Sequence, residues 1–363
     1  MRIGIIMHPY GEKNPGGLPR IIFGWAKALL STDHANDYLI FFKEEPKALP
    51  ALPGDNWTPH VLGSGRFWLN RLKWFPEADV YLFNTPVLPF LWKPRRAVII
   101  AQDYPYKYLK ARNLSEYLSR SFISFYHGYS LRRADHIVAI SESTKRDTMR
   151  FFNIPERKIT VVYQGFTDVC ALPETGVSLP EKFFFFAGTI KERKNVLSIV
   201  KAFTILRSRV PGCVHKLVIA GKAEGSYYEE ICVYIKEHGM TNEIIFLGHL
   251  NENQLSYAYK RAEALVFPSL IEGAGLPVLE AMACGIPVIT SNSFGPSELG
   301  GNGAAVLIDP RSPEDIASAM ERIILDPSFR QERVRRGLEQ SKRFSWNTTV
   351  RDMLSVLTRT AAL

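Results

Sequence analysis

The stretch Pro268-Ser-Leu-Ile-Glu-Gly-Ala-Gly-Leu-Pro-Val-Leu-Glu-Ala-Met-Ala-Cys-Gly-Ile-Pro-Val-Ile-Thr290 decides how the rest of the chain reads. The apolar run Ala264–Ser269 ahead of it has the composition of a strand buried on both faces. A Gly-rich turn follows, and Pro277 stands where a first helical turn favours proline. Gly285 then stops the helix and Pro287 opens a new strand. Gly273, Ala274 and Gly275 thus fall at the amino end of a helix, where free N–H groups and the helix dipole suit a phosphate. The missing Cβ atoms let such a ligand approach closely. Glu272 is expected on the turn and Glu280 within the first helical turn, so that both carboxylates can face one ligand. The plainer role for Glu280 is to complement the helix dipole, worth about 0.3–1 kcal/mol.

Outward from this point the same strand-and-helix alternation repeats. In the first half, strands are predicted at Arg2–His8, Tyr38–Lys43, Asp79–Asn84, Ala97–Asp103, His136–Ser141 and Ile159–Gln164. A second series runs through Lys182–Gly188, His215–Gly221, Glu243–His249, Ala264–Ser269, Pro287–Asn292 and Ala304–Asp309. Between the two, Phe166–Glu181 carries Pro173, Gly176 and Pro180 without a sustained period, which suits a linker. The fold class is therefore α/β, with two doubly wound parallel-sheet domains at 1–168 and 169–344. The helix at 345–363 is expected to return to the first. Each domain can hold a ligand at the carboxyl ends of its strands, and the cleft between them is the expected site.

At 363 residues the chain exceeds what one hydrophobic core usually supports, about 250–300 residues, in keeping with two domains. The net charge of +9 is uneven: residues 1–168 hold 23 Lys+Arg against 15 Asp+Glu, a net of +8, and the remaining 22 and 21 give +1. A basic first half points to an anionic acceptor or surface there, and not to nucleic acid in general. No apolar run approaches the roughly 18 residues that span a bilayer, and a cytosolic protein is expected. Cys170, Cys213, Cys232 and Cys284 have neither zinc-site spacing nor a disulfide framework and read as reduced, structural thiols. The histidines show no paired spacing. His8, at a strand end, is the one candidate, and a structural role suits it as well as the other seven. No Asp-x-Asp follows an apolar strand, so no metal is expected.

With these residues in view, the Glu272-to-Glu280 segment resembles the E-x7-E signature of retaining, nucleotide-sugar-dependent glycosyltransferases of family 4, the group 1 transferases. That likeness implies the GT-B fold of two Rossmann-like domains facing a cleft. It extends over nearly the whole chain: Gly16-Gly17-Leu-Pro-Arg20, Ala134–Lys145, Val161–Gly165, Phe185–Asn195, Val218–Lys222 and Arg343–Trp346 all resemble family motifs in family order. The resemblance implies that Glu280 holds the nucleotide ribose and that Glu272 lies by the transferred sugar. Main-chain N–H groups of Ala274, Gly275 and Leu276 would meet sugar hydroxyls or phosphate, with Gly273 and Pro277 framing them. A basic pair would grip the diphosphate. Lys194 matches the lysine, Thr189 stands where an arginine is usual, and Arg193 is expected to supply the missing charge. Gly16, Gly17 and Lys222 complete the donor set. Gln102 stands where many relatives carry histidine; a neutral amide can orient a sugar but cannot act as a base, which leaves Asp103 as the carboxylate nearby.

The reading implied is a metal-independent, cofactor-free hexosyltransferase that retains configuration, with Glu272, Lys194, Arg193, Gln102 and Asp103 as catalytic candidates. A mannosyl donor such as GDP-mannose is the first choice, with a lipid-linked or surface-polysaccharide acceptor of the lipopolysaccharide or exopolysaccharide kind. A same-fold epimerase or glucan synthase is the rival among enzymes, and a basic binding protein without catalysis the rival outside them. The run Gly65-Arg-Phe-Trp-Leu-Asn-Arg-Leu-Lys-Trp-Phe-Pro76 fits either an interfacial helix on an anionic membrane or an amphipathic helix packed on the first sheet. The first would make the protein peripheral on the inner face of the cell membrane.

Overall fold

The computed structural model describes residues 1–10, 18–46, 50–65 and 67–363, with the side chains of 18–20 left aside. Gly16, Gly17 and Arg66 lie outside the described residues, as does the side chain of Arg20. The chain divides into two compact units, 1–165 with 345–363, and 166–344.

The first unit begins with β1 (Arg2–Ile6), α1 (Leu18–Thr32), β2 (Asp37–Phe42), β3 (Trp57–Val61), β4 (Val80–Phe83) and β5 (Ala97–Ala101). It continues through α2 (Leu114–Arg133), β6 (His136–Ala139), α3 (Glu142–Phe152) and β7 (Ile159–Val161). All pairings are parallel, in the order β3-β2-β1-β4-β5-β6-β7. Every residue of β4 and β5 is buried, as continuous Val, Ile and Phe require in a sheet covered on both faces. The strand β3 was not expected. Its residues are mostly exposed and include Pro59, both marks of an edge strand whose pattern carries little hydrophobic signal.

The second unit contains β8 (Phe183–Ala187), α4 (Val196–Arg209), β9 (Lys216–Ala220), α5 (Ser226–Glu237), β10 (Ile244–Gly248), α6 (Glu252–Arg261) and β11 (Ala264–Phe267). After these come α7 (Leu276–Ala283), β12 (Val288–Ser291), α8 (Phe294–Leu299), β13 (Val306–Ile308), α9 (Pro313–Leu325) and α10 (Pro327–Ser341). Its six strands are again parallel, ordered β10-β9-β8-β11-β12-β13. The strand order reverses between β8 and β11, the position at which open α/β sheets commonly place a ligand, outside the carboxyl ends of the strands.

The chain then enters α11 (Trp346–Ala361), which belongs to the first unit and packs on α1. Ser345 caps it by accepting from the Thr348 N–H, and Trp346 meets Trp25 edge to face at 5.9 Å. Within the run 65–76, Trp68–Trp74 forms a 3-10 helix with Trp68, Leu69 and Leu72 buried in the core. The packed alternative therefore holds for this turn, and among the described residues of the run Phe67 and Trp74 show large apolar faces to solvent.

Cys170 and Cys284 form a disulfide, with Cα atoms 5.4 Å apart, so two of the four thiols expected to be reduced are joined. The bond ties a 3-10 turn at Val169–Ala171 to the carboxyl end of α7 across 114 residues, a pairing that spacing cannot reveal. Cys213 and Cys232 are free thiols. Closing so long a loop restricts the unfolded chain, so Cys170→Ala should lower the unfolding free energy by about 2–4 kcal/mol. Chemical denaturation with and without reductant checks this: the wild type should lose the same amount under reductant, and the variant should be indifferent to it.

Candidate active site

The site forms where β8 and β11 lie side by side, with Ala264 paired to Phe184 and Leu265 to Phe185. After β8 the chain turns at Gly188 and passes through a 3-10 turn at Glu192–Lys194. It enters α4 from Asn195, which holds the left-handed conformation at φ +61°. The Asn195 side chain donates to the main-chain carbonyls of Pro268 and Pro310, and its own oxygen accepts from Ser198 Oγ at 2.8 Å. The loop after β8 is thereby fastened to the loop after β11. A main-chain bond from Leu270 N–H to Arg193 O, 2.8 Å, completes the join.

This fastening brings together residues that are 78 and 79 positions apart. Glu272 Oε2 accepts from Lys194 Nζ and from Arg193 NH1, the latter at 2.7 Å. Lys194 is buried and its ammonium also lies 4.5 Å from the centre of the Phe267 ring. Burial by itself would raise the Glu272 pKa. The charges of Lys194 and Arg193 outweigh that effect, helped by their hydrogen bonds, and hold the carboxyl below its ordinary value. One carboxylate thus bridges two cations at the carboxyl ends of the two strands.

Helix α7 starts immediately beyond. Gly275 precedes it at φ +93°, a conformation that suits glycine, and Pro277 occupies its first turn. Glu280 lies in the second turn, not the first, because the helix already begins at Leu276. It is buried and accepts from Tyr259 Oη at 3.0 Å.

Two close backbone approaches shape the surroundings. A Cβ on Gly295 would lie 2.2 Å from Gly273 O, so the donor-loop candidate Gly273–Gly275 is held against the start of α8. Gly295 N–H also donates to Glu272 O at 3.0 Å. A Cβ on Gly221 would lie 2.0 Å from Gly188 O, bringing the ends of β9 and β8 into contact. The paired Ala187-Gly188 and Ala220-Gly221 ends carry a sequence signal for this second approach, since Ala187 and Ala220 are register partners. For Tyr259, buried on α6, no such signal exists.

The other candidates are spread more widely. Thr189 is exposed, and Lys222 is exposed and paired with Glu224 at 2.9 Å. In the first unit Gln102 and Asp103 are half-buried after β5, and Gln102 Nε2 lies 3.5 Å from Asn84 O. Asn84 donates to Ile6 O at 2.8 Å, so Gln102 sits beside the β1–β4 strand reversal of that unit. His8 stacks obliquely on Trp68 at 5.2 Å. Gln164, buried in the segment after β7, has no hydrogen-bond partner for either amide atom among the described residues.

Family models match both units. The model of glycosyl transferases group 1 matches residues 172–340, and that of glycosyltransferase family 4 matches residues 15–168. The chain belongs to this glycosyltransferase family and has its GT-B fold. It is 27% identical over 300 residues to the serotype-specific mannosyltransferase WbdA of Escherichia coli, covering 78% of the chain and 35% of WbdA. The chain therefore spans about a third of that relative's length. Among solved structures, sucrose-phosphate synthase from Thermosynechococcus elongatus superimposes with a TM-score of 0.78 at 18% identity, covering 100% and 99% of the two chains. HepE of Anabaena, in complex with UDP-glucose, gives 0.76 at 18% identity, covering 99% and 100%.

Because its folded pKa is depressed, Glu272 adds stability at pH values above its unfolded pKa, near 4.3, and that contribution is lost as pH falls through the folded value. Glu272→Gln leaves two cations short of a counter-charge and should cost about 1–3 kcal/mol at neutral pH. Its deficit relative to wild type should shrink as pH falls from about 5 toward 3. Denaturation curves of the two proteins at several pH values measure this directly.

Proposed function

We propose that this protein transfers a hexose from a nucleoside-diphosphate sugar, with retention of configuration, to a lipid-linked or surface-polysaccharide acceptor. The observation that carries the reading is the Arg193–Glu272–Lys194 cluster at the β8–β11 reversal, one loop away from the amino end of α7. As the glycosidic bond breaks, negative charge gathers on the departing diphosphate. Fixed cations and helix-end N–H groups placed there stabilise that state more than the starting one. Lys194 and Arg193 would hold the diphosphate, main-chain groups of Gly273–Leu276 the sugar or phosphate, and Glu280 the ribose hydroxyls. Glu272 would orient both cations and meet the transferred sugar.

In this scheme the protein's own cations meet the charge for which other sugar transferases use a divalent metal, and neither metal nor cofactor takes part. Gln102 cannot accept a proton, which favours a front-face route in which the departing phosphate oxygen takes the acceptor's proton, with Asp103 as the alternative base. Mannose from GDP-mannose is the preferred donor, a choice supported by the likeness to mannosyltransferase WbdA. HepE, whose similarity extends to the fold, is known with UDP-glucose. The basic charge of residues 1–168 supports an acceptor presented at an anionic surface.

A thermal-shift series with GDP, UDP, dTDP and their sugars tests the donor. A concentration-dependent rise with GDP compounds alone is expected, and no rise with any nucleotide would overturn the reading. Lys194→Ala should lower kcat about a hundredfold or more. Glu280→Gln should weaken donor binding by about ten- to a hundredfold. Full activity in both variants would remove the site assignment.

A further inference from the structure

One face of α2 is built the wrong way round for a soluble helix. Leu114, Leu118, Phe122 and Phe125 are 71%, 58%, 64% and 60% exposed, and with the half-buried Tyr129 they follow the i, i+4, i+8, i+11, i+15 spacing of a single stripe. The stripe does not stop at the helix. The Tyr129 ring lies 5.2 Å from that of Phe90, which is exposed together with Leu91. Leu91 N–H donates to Asn70 Oδ1 at 2.8 Å, on the 3-10 turn that also bears exposed Trp74 with Lys73 over its ring. Contiguous apolar surface of this kind marks a site that something covers.

Charge selects the cover. From 104 to 133 the chain has six Lys and Arg and one acid, Glu116, which is itself bonded to Arg120. An open groove of about 500 Å³ runs along the flank of the stripe, lined by Lys107, Lys110 and Arg120 as well as by Tyr106, Tyr117 and Phe125. Arg132 and Arg133 close the other end. Two such faces meeting each other would bring like charges together, whereas an anionic bilayer takes the apolar stripe among its acyl chains and the cations at its headgroups.

The geometry points to the exposed face of α2, with Phe90, Leu91 and Trp74, as the surface that docks this protein on an anionic membrane. The inference rests on the proposed acceptor at an anionic surface and names the residues that reach it. It centres the membrane contact on α2, with the exposed Trp74 as the contribution of the 68–74 turn, whose Trp68, Leu69 and Leu72 stay in the core. None of the residues that would enter the lipid belongs to the donor site.

The test is flotation of the whole protein with vesicles of phosphatidylcholine alone or with about 30 mol % phosphatidylglycerol. Wild type should float with the anionic vesicles only, and about 0.5 M salt should weaken the binding. Phe122→Ser/Phe125→Ser should bind at least about tenfold more weakly. Lys110→Glu/Arg132→Glu should lose the preference for anionic lipid. Thermal shifts with nucleotide should be unchanged in both variants, which separates this surface from the donor site. Undiminished binding by the Phe122→Ser/Phe125→Ser protein would overturn the assignment to α2. Absence of binding by wild type would overturn membrane docking altogether, while leaving a nucleotide shift to stand for the transferase reading. A dimer in light scattering that the same substitutions dissociate would assign the face to a second copy instead.

Discussion

The interaction on which the second unit's chemistry turns is the contact of one buried-edge carboxylate, Glu272, with two cations, Lys194 and Arg193. Lys194, buried and beside the half-buried Arg193, would be costly to hold there without the carboxylate that both of them contact. The cluster also joins the loops leaving β8 and β11, the two strands at which the sheet order reverses. Two cations held rigidly at the carboxyl ends of parallel strands are preorganised to meet an anion, and the cost of ordering them has already been met in folding.

The glycines around the cluster serve that rigidity. Gly295 and Gly221 each bring one backbone within a distance that any Cβ would forbid. Asn195 supplies a left-handed turn and three hydrogen bonds, so that the loop bearing Lys194 cannot drift from the loop bearing Glu272. The Cys170–Cys284 bond anchors the far end of α7, the helix whose amino end faces the same place. The donor side is thus fixed from several directions, whereas the first unit spends its unusual residues on an exposed apolar helix face.

Much of this architecture is legible in the chain. Near-continuous apolar strands such as Phe183–Ala187 and Ala97–Ala101 announce parallel sheets, because only strands covered on both faces can afford such runs. The strand Trp57–Val61 is hidden, since an exposed edge carrying Pro59 has no hydrophobic pattern to read. Glu272, Arg193 and Lys194 can each be singled out from motif and setting. Their mutual contact cannot, since it depends on β8 pairing with β11 across two intervening strands of sequence. The Tyr259–Glu280 bond, the disulfide and the exposed face of α2 are hidden for the same reason: each is a matter of which surfaces tertiary packing covers, and local periodicity is blind to that choice.

The most direct measurement is a crystal structure of the wild-type protein with GDP bound. The account predicts the terminal phosphate within hydrogen-bond distance of Lys194 Nζ and the Arg193 guanidinium, with the ribose hydroxyls on Glu280. A nucleotide bound elsewhere, its phosphates out of reach of Lys194 and Arg193, would contradict it.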